Sequence, residues 1–266
     1  MSWIRNILIF ATAWLSLTAG AQNDTCARAE RKITSVYAFE AGGARDISTY
    51  LSPLYYSGFN LAVSGSWTKD FNRWSDRCRM RFEAAVSYDD MLNPAQTARM
   101  LGLTAHFGWG LSWKKDFARS WQVTTGPMLD IYGGALYLPK NGNNPVSALA
   151  STGFDLAASL QWRGHIGRVP VIVADEMRIP TLSCFFSPEY GESYYEIYLG
   201  NRRNLAHFGW WGNAFGINNL LSVKFNFGKT GMLVGYRLDL RTFRANHLET
   251  QLLRIAFVIG VIPNGL

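Results

Sequence analysis

Residues 101–113 read Leu-Gly-Leu-Thr-Ala-His-Phe-Gly-Trp-Gly-Leu-Ser-Trp, two interleaved sets in one stretch. Leu101, Leu103, Ala105, Phe107, Trp109, Leu111 and Trp113 are apolar, while Gly102, Thr104, His106, Gly108, Gly110 and Ser112 are small or polar. A period of two belongs to the β-strand, whose successive side chains point to opposite faces. Strands of globular proteins are typically about 5–6 residues long, whereas a strand tilted across a bilayer needs roughly 9–11. One long greasy face backed by one polar face therefore predicts an all-β fold, a transmembrane antiparallel β-barrel with lipid outside and a polar lumen inside.

The same alternation recurs on either side. Met80, Phe82, Ala84, Val86 and Tyr88 alternate with Arg79, Arg81, Glu83, Ala85, Ser87 and Asp89. A face carrying that many charges cannot be a dry core, because an unpaired buried charge costs several kcal/mol. Comparable strands are expected at 121–137, 153–163, 219–227, 232–241 and 253–261, separated by turn signals such as Asn141-Gly142-Asn143-Asn144-Pro145 and Gly228-Lys229-Thr230-Gly231. A first strand is expected from Ile33 to Glu40, ended by Gly42-Gly43, and a polar hairpin tip from Lys69 to Asp76. Residues 169–179 form a continuous apolar run behind Pro170, 194–199 read as a short strand, and 205–211 as another. The total is about twelve strands, with ten as the alternative, since single-chain bacterial barrels are even-numbered.

Bulk composition is consistent with this reading. The chain of 266 residues is 48% hydrophobic and 17% charged, with a mean hydropathy of −0.03. A helical membrane protein would be far more apolar, whereas a barrel spreads its apolar band over every second residue. Residues 1–21 read as a secretory signal peptide: Arg5, an apolar run over 7–17, and the small-x-small site Ala19-Gly20-Ala21. Residues 22–32 form a short polar lead, 33–262 the barrel and 263–266 a C-terminal tail, which lacks the terminal aromatic residue of many outer-membrane proteins. The expected location is thus the outer membrane. A soluble secreted β-barrel is the competing class.

Cys26, Cys78 and Cys184 have no paired spacing, and the four His are scattered, so neither a disulfide framework nor a metal or other cofactor is expected. The net charge of +7 suits basic loops at anionic headgroups. The Lys and Arg residues are strand-spaced and not clustered, which argues against nucleic acid. The expected partners are outer-membrane lipid, lipopolysaccharide included, and the barrel-assembly machinery.

The expected lumen face collects Arg79, Arg81, Glu83, Asp130, Asp155, Arg163, Glu196, Lys224, Arg237, Asp239, Arg241 and Arg254. In a narrow barrel such side chains either interlock into a salt-bridged core or line a small selective pore or ligand site. The leading expectation is an integral barrel protein with a structural or small-solute pore role and no evident catalytic site. A lipid-acting hydrolase is the alternative. His207, with Asn213 nearby, partly resembles the His and Asn of outer-membrane phospholipase-type barrels, which imply a Ser nucleophile two residues after the His. Here Gly209 stands at that place, and Ser193 or Ser222, neither at that spacing, would have to substitute, while Asn218 or Asn219 could equally match the Asn.

The wording Phe186-Ser187-Pro188-Glu189-Tyr190-Gly191, Tyr195-Glu196-Ile197, His207-Phe208-Gly209 and Asn218-Asn219-Leu220, followed by the turn after Phe225, resembles an uncharacterised family of Bacteroidota outer-membrane β-barrel proteins. That resemblance implies a fold and a location, and no activity.

Overall fold

The computed structural model describes residues 33–71, 77–142, 144–167, 169–200, 204–228, 230–263 and 265. The expected signal peptide, the polar lead and most of the 69–76 hairpin tip lie outside them. The eleven described strands are β1 (Thr34–Ser48), β2 (Ser52–Phe71), β3 (Cys78–Leu92), β4 (Arg99–Ala118), β5 (Trp121–Tyr137), β6 (Val146–Ile166), β7 (Val169–Phe186), β8 (Ala206–Gly209), β9 (Ala214–Phe227), β10 (Thr230–Ala245) and β11 (Leu248–Ile262). Every strand pairing among the described residues is antiparallel, β1 pairs with β11, and β6 pairs with β7, so the sheet closes on itself. Closure removes both edges, which is how such a sheet satisfies its backbone without water.

Ten strands make the ring, the smaller of the two expected counts. β6 occupies one edge of β7 through Phe185. β8, which pairs with residues 183–186 of β7, and β9, which pairs with 171–178, must therefore share the other edge. Residues 206–227 thus run down one side of β7, with residues 210–217 displaced from it as a bulge. Pro180 lies opposite this gap and brings no N–H to the ladder, which is where sheets tolerate interruption.

The ladder also fixes the size. Following cross-strand partners around the ring from Asp90, through Phe59, Gly43, Ile255, Leu238, Asn219, Met177, Ala158, Thr125 and Trp113, returns to β3 at Cys78, a stagger of twelve residues (90 to 78). With about 3.3 Å per residue and about 4.8 Å between strands, ten strands and that stagger give a tilt of roughly 40° and a radius of about 10 Å. Arg and Glu side chains from facing walls can span such a lumen.

Two local expectations are corrected. Gly42-Gly43 do not end β1, which continues to Ser48. A Cβ on Gly42 would stand 2.0 Å from the carbonyl oxygen of Ile255, so glycine lets β11 approach. Residues 194–198 form a helix, α1 (Tyr194–Tyr198), and no strand. Ser193 closes a capping box there: its Oγ accepts from the Glu196 N–H at 3.2 Å, and Glu196 Oε2 accepts from the Ser193 N–H at 2.8 Å. Glu196, expected in the lumen, is therefore spent on a loop. That backbone N–H of Ser193 lowers the Glu196 carboxyl below its usual 4.5, so the cap is intact above that pH and is lost as the pH falls through the lowered value. Ser193→Ala is expected to cost about 1 kcal/mol of local helix stability, read as faster amide exchange over 196–199 at pH 7 with the barrel amides unchanged.

The two ends of the ring differ. Both described termini, Ile33 and Gly265, lie at one end, together with the turns at Arg119–Ser120, Gly167 and Gly228. The other end carries the longer connections at 93–98, 138–145 and 187–205, and two tight turns, one at Thr49–Leu51 and one in which Asn246 and His247 have φ of 53° and 60°, the left-handed pair that a two-residue hairpin demands. These are called the terminus end and the loop end below.

Outward residues are apolar and exposed: Phe39, Val63, Leu103, Phe154, Leu156, Leu221, Phe257 and Ile259 among them. The buried set, by contrast, includes Glu40, Asp46, Asn60, Asp89, Asp130, Asp155, Arg241 and Arg254. Greasy outside and charged inside is the reverse of a water-soluble protein.

Candidate functional site: the charged lumen

At the loop end the lumen is filled by hydrocarbon. Met91, Met100, Leu136 and Leu252 are buried to 1% exposure or less, and with Tyr56, Leu138 and Leu149 they form one cluster beneath the connecting loops. Just below it, Arg254 donates to Asp89 with Nη2–Oδ2 at 2.6 Å and Nε–Oδ2 at 3.0 Å, a fork on a carboxylate that is itself fully buried. Asn60 holds the other carboxylate oxygen at 2.7 Å, and Tyr132 Oη lies 3.3 Å from Arg254 Nη1. Asp46 borders this layer at 0% exposure; its Oδ1 accepts from the Leu253 N–H at 3.3 Å and its Oδ2 has no hydrogen-bond partner.

The next group centres on Asp130, gripped by Arg241 at 2.9 and 3.2 Å and by His106 Nε2 at 2.7 Å. Arg241 also lies over the Tyr132 ring, 4.2 Å from its centroid. Asp155 and Asp239 face the same region, Asp239 accepting from Asn218 at 3.1 Å. Toward the terminus end, Glu83 contacts Arg81 at 3.0 Å and also Arg178. Glu176 takes Arg81 at 2.5 Å and Lys224 at 2.9 Å, and Arg237 reaches Glu40 at 2.8 Å. At the mouth, Asp70 takes both Arg79 at 2.8 Å and Lys114 at 2.6 Å, while Arg163 donates to Gln122 at 3.2 Å.

The structure thus brings eleven of the twelve expected lumen residues to the inner wall and leaves out Glu196. Sequence reasoning missed Glu40, Asp46, Glu176 and Arg178 as members. The signal was present in Ala174, Glu176 and Arg178, which alternate with Val173, Asp175 and Met177, but the apolar start of β7 obscured it.

Two adjoining cavities lie among the charged groups. One of about 100 Å³ is bordered by Asn60, His106, Tyr132 and Arg237. A larger one of about 240 Å³ reaches the strand ends at Thr34, Thr68 and Gly265, and so opens at the terminus end.

The weak catalytic candidates are not brought together. His207 Nε2 lies 3.2 Å from the Ser187 carbonyl oxygen and 3.2 Å from Asn246 Nδ2, with its ring against Phe185. Asn213 accepts from the Trp210 N–H at 2.8 Å and donates to the Phe208 carbonyl at 2.9 Å, and Ser193 caps α1. Among the described residues no serine hydroxyl hydrogen-bonds to His207, so the base–nucleophile contact that acyl transfer requires is missing.

A family model described as a protein of unknown function (DUF3316) matches residues 6–264. This chain is a DUF3316 protein. The DUF3316 chain is similar in fold to the outer membrane protease OmpT from Escherichia coli, with 8% identity, 90% of this chain and 98% of that one covered, and a TM-score of 0.49. It is also similar to the transport unit of the autotransporter AIDA-I from Escherichia coli (7% identity, 93% and 96% covered, TM-score 0.43) and to the beta domain of the Bordetella autotransporter BrkA (10% identity, 86% and 98% covered, TM-score 0.44). At such identities and scores, neither proteolysis nor transport carries over to the DUF3316 chain. Among curated proteins there is no match.

Proposed function

We propose that this DUF3316 protein is an integral outer-membrane barrel whose lumen is closed, and that it serves as a non-conducting structural element of that membrane. The observation that carries the reading is the stack inside the ring: a methionine- and leucine-rich plug at the loop end above buried, cross-linked Asp89–Arg254 and Asp130–Arg241 pairs. A radius of about 10 Å leaves no aqueous path around side chains that meet across the axis.

Support for the membrane comes from the outer surface. Along β4 the apolar face from Leu101 to Trp113 covers twelve rises, which at about 3.3 Å each and a tilt of roughly 40° is about 30 Å of height, enough for the apolar band of an outer-membrane barrel. Trp67, Trp113, Trp121 and Trp162 lie toward the terminus end of their strands and Tyr55, Phe59 and Tyr137 toward the loop end, as interfacial girdles do. Short turns on the terminus end and longer connections on the other support an orientation with the terminus end in the periplasm and α1 outside.

Planar-bilayer recording tests the closed lumen. The folded full chain is expected to give no steady current above the lipid baseline, and a reproducible ohmic conductance would overturn the reading.

A further inference from the structure

The cavity of about 240 Å³ at the terminus end has a lopsided wall. Arg79, Arg81, Arg163, Arg178, Lys224 and Arg237 line it against two carboxylates, Glu83 and Glu176. Glu83 is shared by Arg81 and Arg178, and Glu176 by Arg81 and Lys224. Behind the wall, Asp70 serves both Arg79 and Lys114, and Glu40 serves Arg237. Arg163 has no carboxylate at ion-pair distance among the described residues; it shares the Gln122 amide with Asp116. Seven cations, Lys114 included, thus face six acids: Glu40, Asp70, Glu83, Asp116, Glu176 and Asp130, the last 3.9 Å from Arg178 and shared with Arg241. One positive charge is left over, and Arg163 is the cation without a carboxylate beside it.

A second observation concerns the same wall. Arg81 Nε and Arg237 Nε are both buried without a hydrogen-bond acceptor, although carboxylate oxygens lie 3.0 and 2.8 Å away off the N–H direction. Donors left without an aligned acceptor in a low-dielectric wall are costly, and a guanidinium without a carboxylate there more so. Water can fill the cavity but cannot cancel the charge. An anionic acceptor does both.

We propose that the terminus-end cup binds a small oxyanion of the phosphate-monoester class, held by Arg79, Arg163 and Lys224 at the mouth and by Arg81 deeper in. Guanidinium forks match phosphate oxygens bidentately. The surplus of positive charge selects against cations, the charged wall against apolar ligands, and the volume against anything much larger than a phosphorylated small molecule. The proposal rests on the closed-lumen reading only in taking the cup to be blind; conductance tests the seal, and the experiment below tests the cup.

The experiment is calorimetric titration of the folded full chain in a zwitterionic detergent with inorganic phosphate, and with glycerol 3-phosphate, acetate and glycerol as comparison probes. Both phosphates are expected to bind saturably, acetate at least tenfold more weakly, and glycerol not at all. Arg163→Gln and Arg79→Gln are each expected to weaken phosphate at least tenfold while leaving the unfolding temperature within a few degrees, and Trp210→Ala to change nothing. Raising sodium chloride from 50 to 500 mM is expected to weaken phosphate severalfold. Phosphatidic acid added to the micelles separates the sources: an unchanged isotherm assigns the cup to a soluble solute, and displacement assigns the same chemistry to a lipid headgroup. No saturable heat with either phosphate, or binding indifferent to both Arg substitutions in folded protein, would overturn the proposal.

Discussion

Asp89→Ala is expected to destabilise the barrel by about 3–5 kcal/mol, the range for removing one partner of a buried ion pair. Asp89 has no solvent exposure, and both oxygens are held, one by Asn60 and the other by the Arg254 fork. Its loss leaves a guanidinium that is 7% exposed without its closest acceptor; Asp239, at 3.8 Å, is a poor substitute. The double variant Asp89→Leu with Arg254→Met removes both charges and fills the space with hydrocarbon next to Met91 and Leu252. It is expected to recover most of the loss, because well-packed apolar residues replace buried pairs at little cost. Urea unfolding of the protein in vesicles, followed by the heat-dependent shift of the folded band on gels, measures both. A single variant as stable as the unaltered chain would show that the pair is solvated and the lumen wet.

Phe257→Arg distinguishes a bilayer protein from a soluble one. Phe257 lies midway along the outward face of β11 and is 50% exposed. In a soluble β-barrel an exposed Phe exchanged for Arg falls within about 0.5 kcal/mol of neutral. On a lipid-facing strand near the bilayer midplane it costs about 2–4 kcal/mol. The measurement is the same vesicle unfolding, with Tyr198→Arg on the exposed helix α1 as the neutral control. Equal stability of the two variants would remove the membrane from the account.

Much of the wall could be read from residue order because a strand encodes its two faces locally: Leu103 and Thr104 need no distant information to take opposite sides. β4, β5, β9, β10 and β11 follow directly. The failures have local causes. Gly42-Gly43 look like a break, yet serve a close approach to β11 that no neighbour in sequence announces. Pro170 and the apolar start of β7 hid Glu176 and Arg178. Tyr194 to Leu199 has the aromatic richness of a strand, but the Ser193–Glu196 cap makes a helix of it. Partnership across the lumen was not legible at all. Arg254 finds Asp89, 165 positions away, only because of the twelve-residue stagger, which accumulates from the register of every hairpin.

The displaced segment between β8 and β9 leaves the ring unevenly stitched. β7 joins β6 through sixteen residue pairs but meets β9 through only eight, from Val171 to Arg178, before Pro180 and the excursion around Trp210 interrupt the wall. A cylinder is no tighter than its shortest seam. In this one the seam lies next to Trp211, whose indole N–H donates to the Pro180 carbonyl and so fastens the gap.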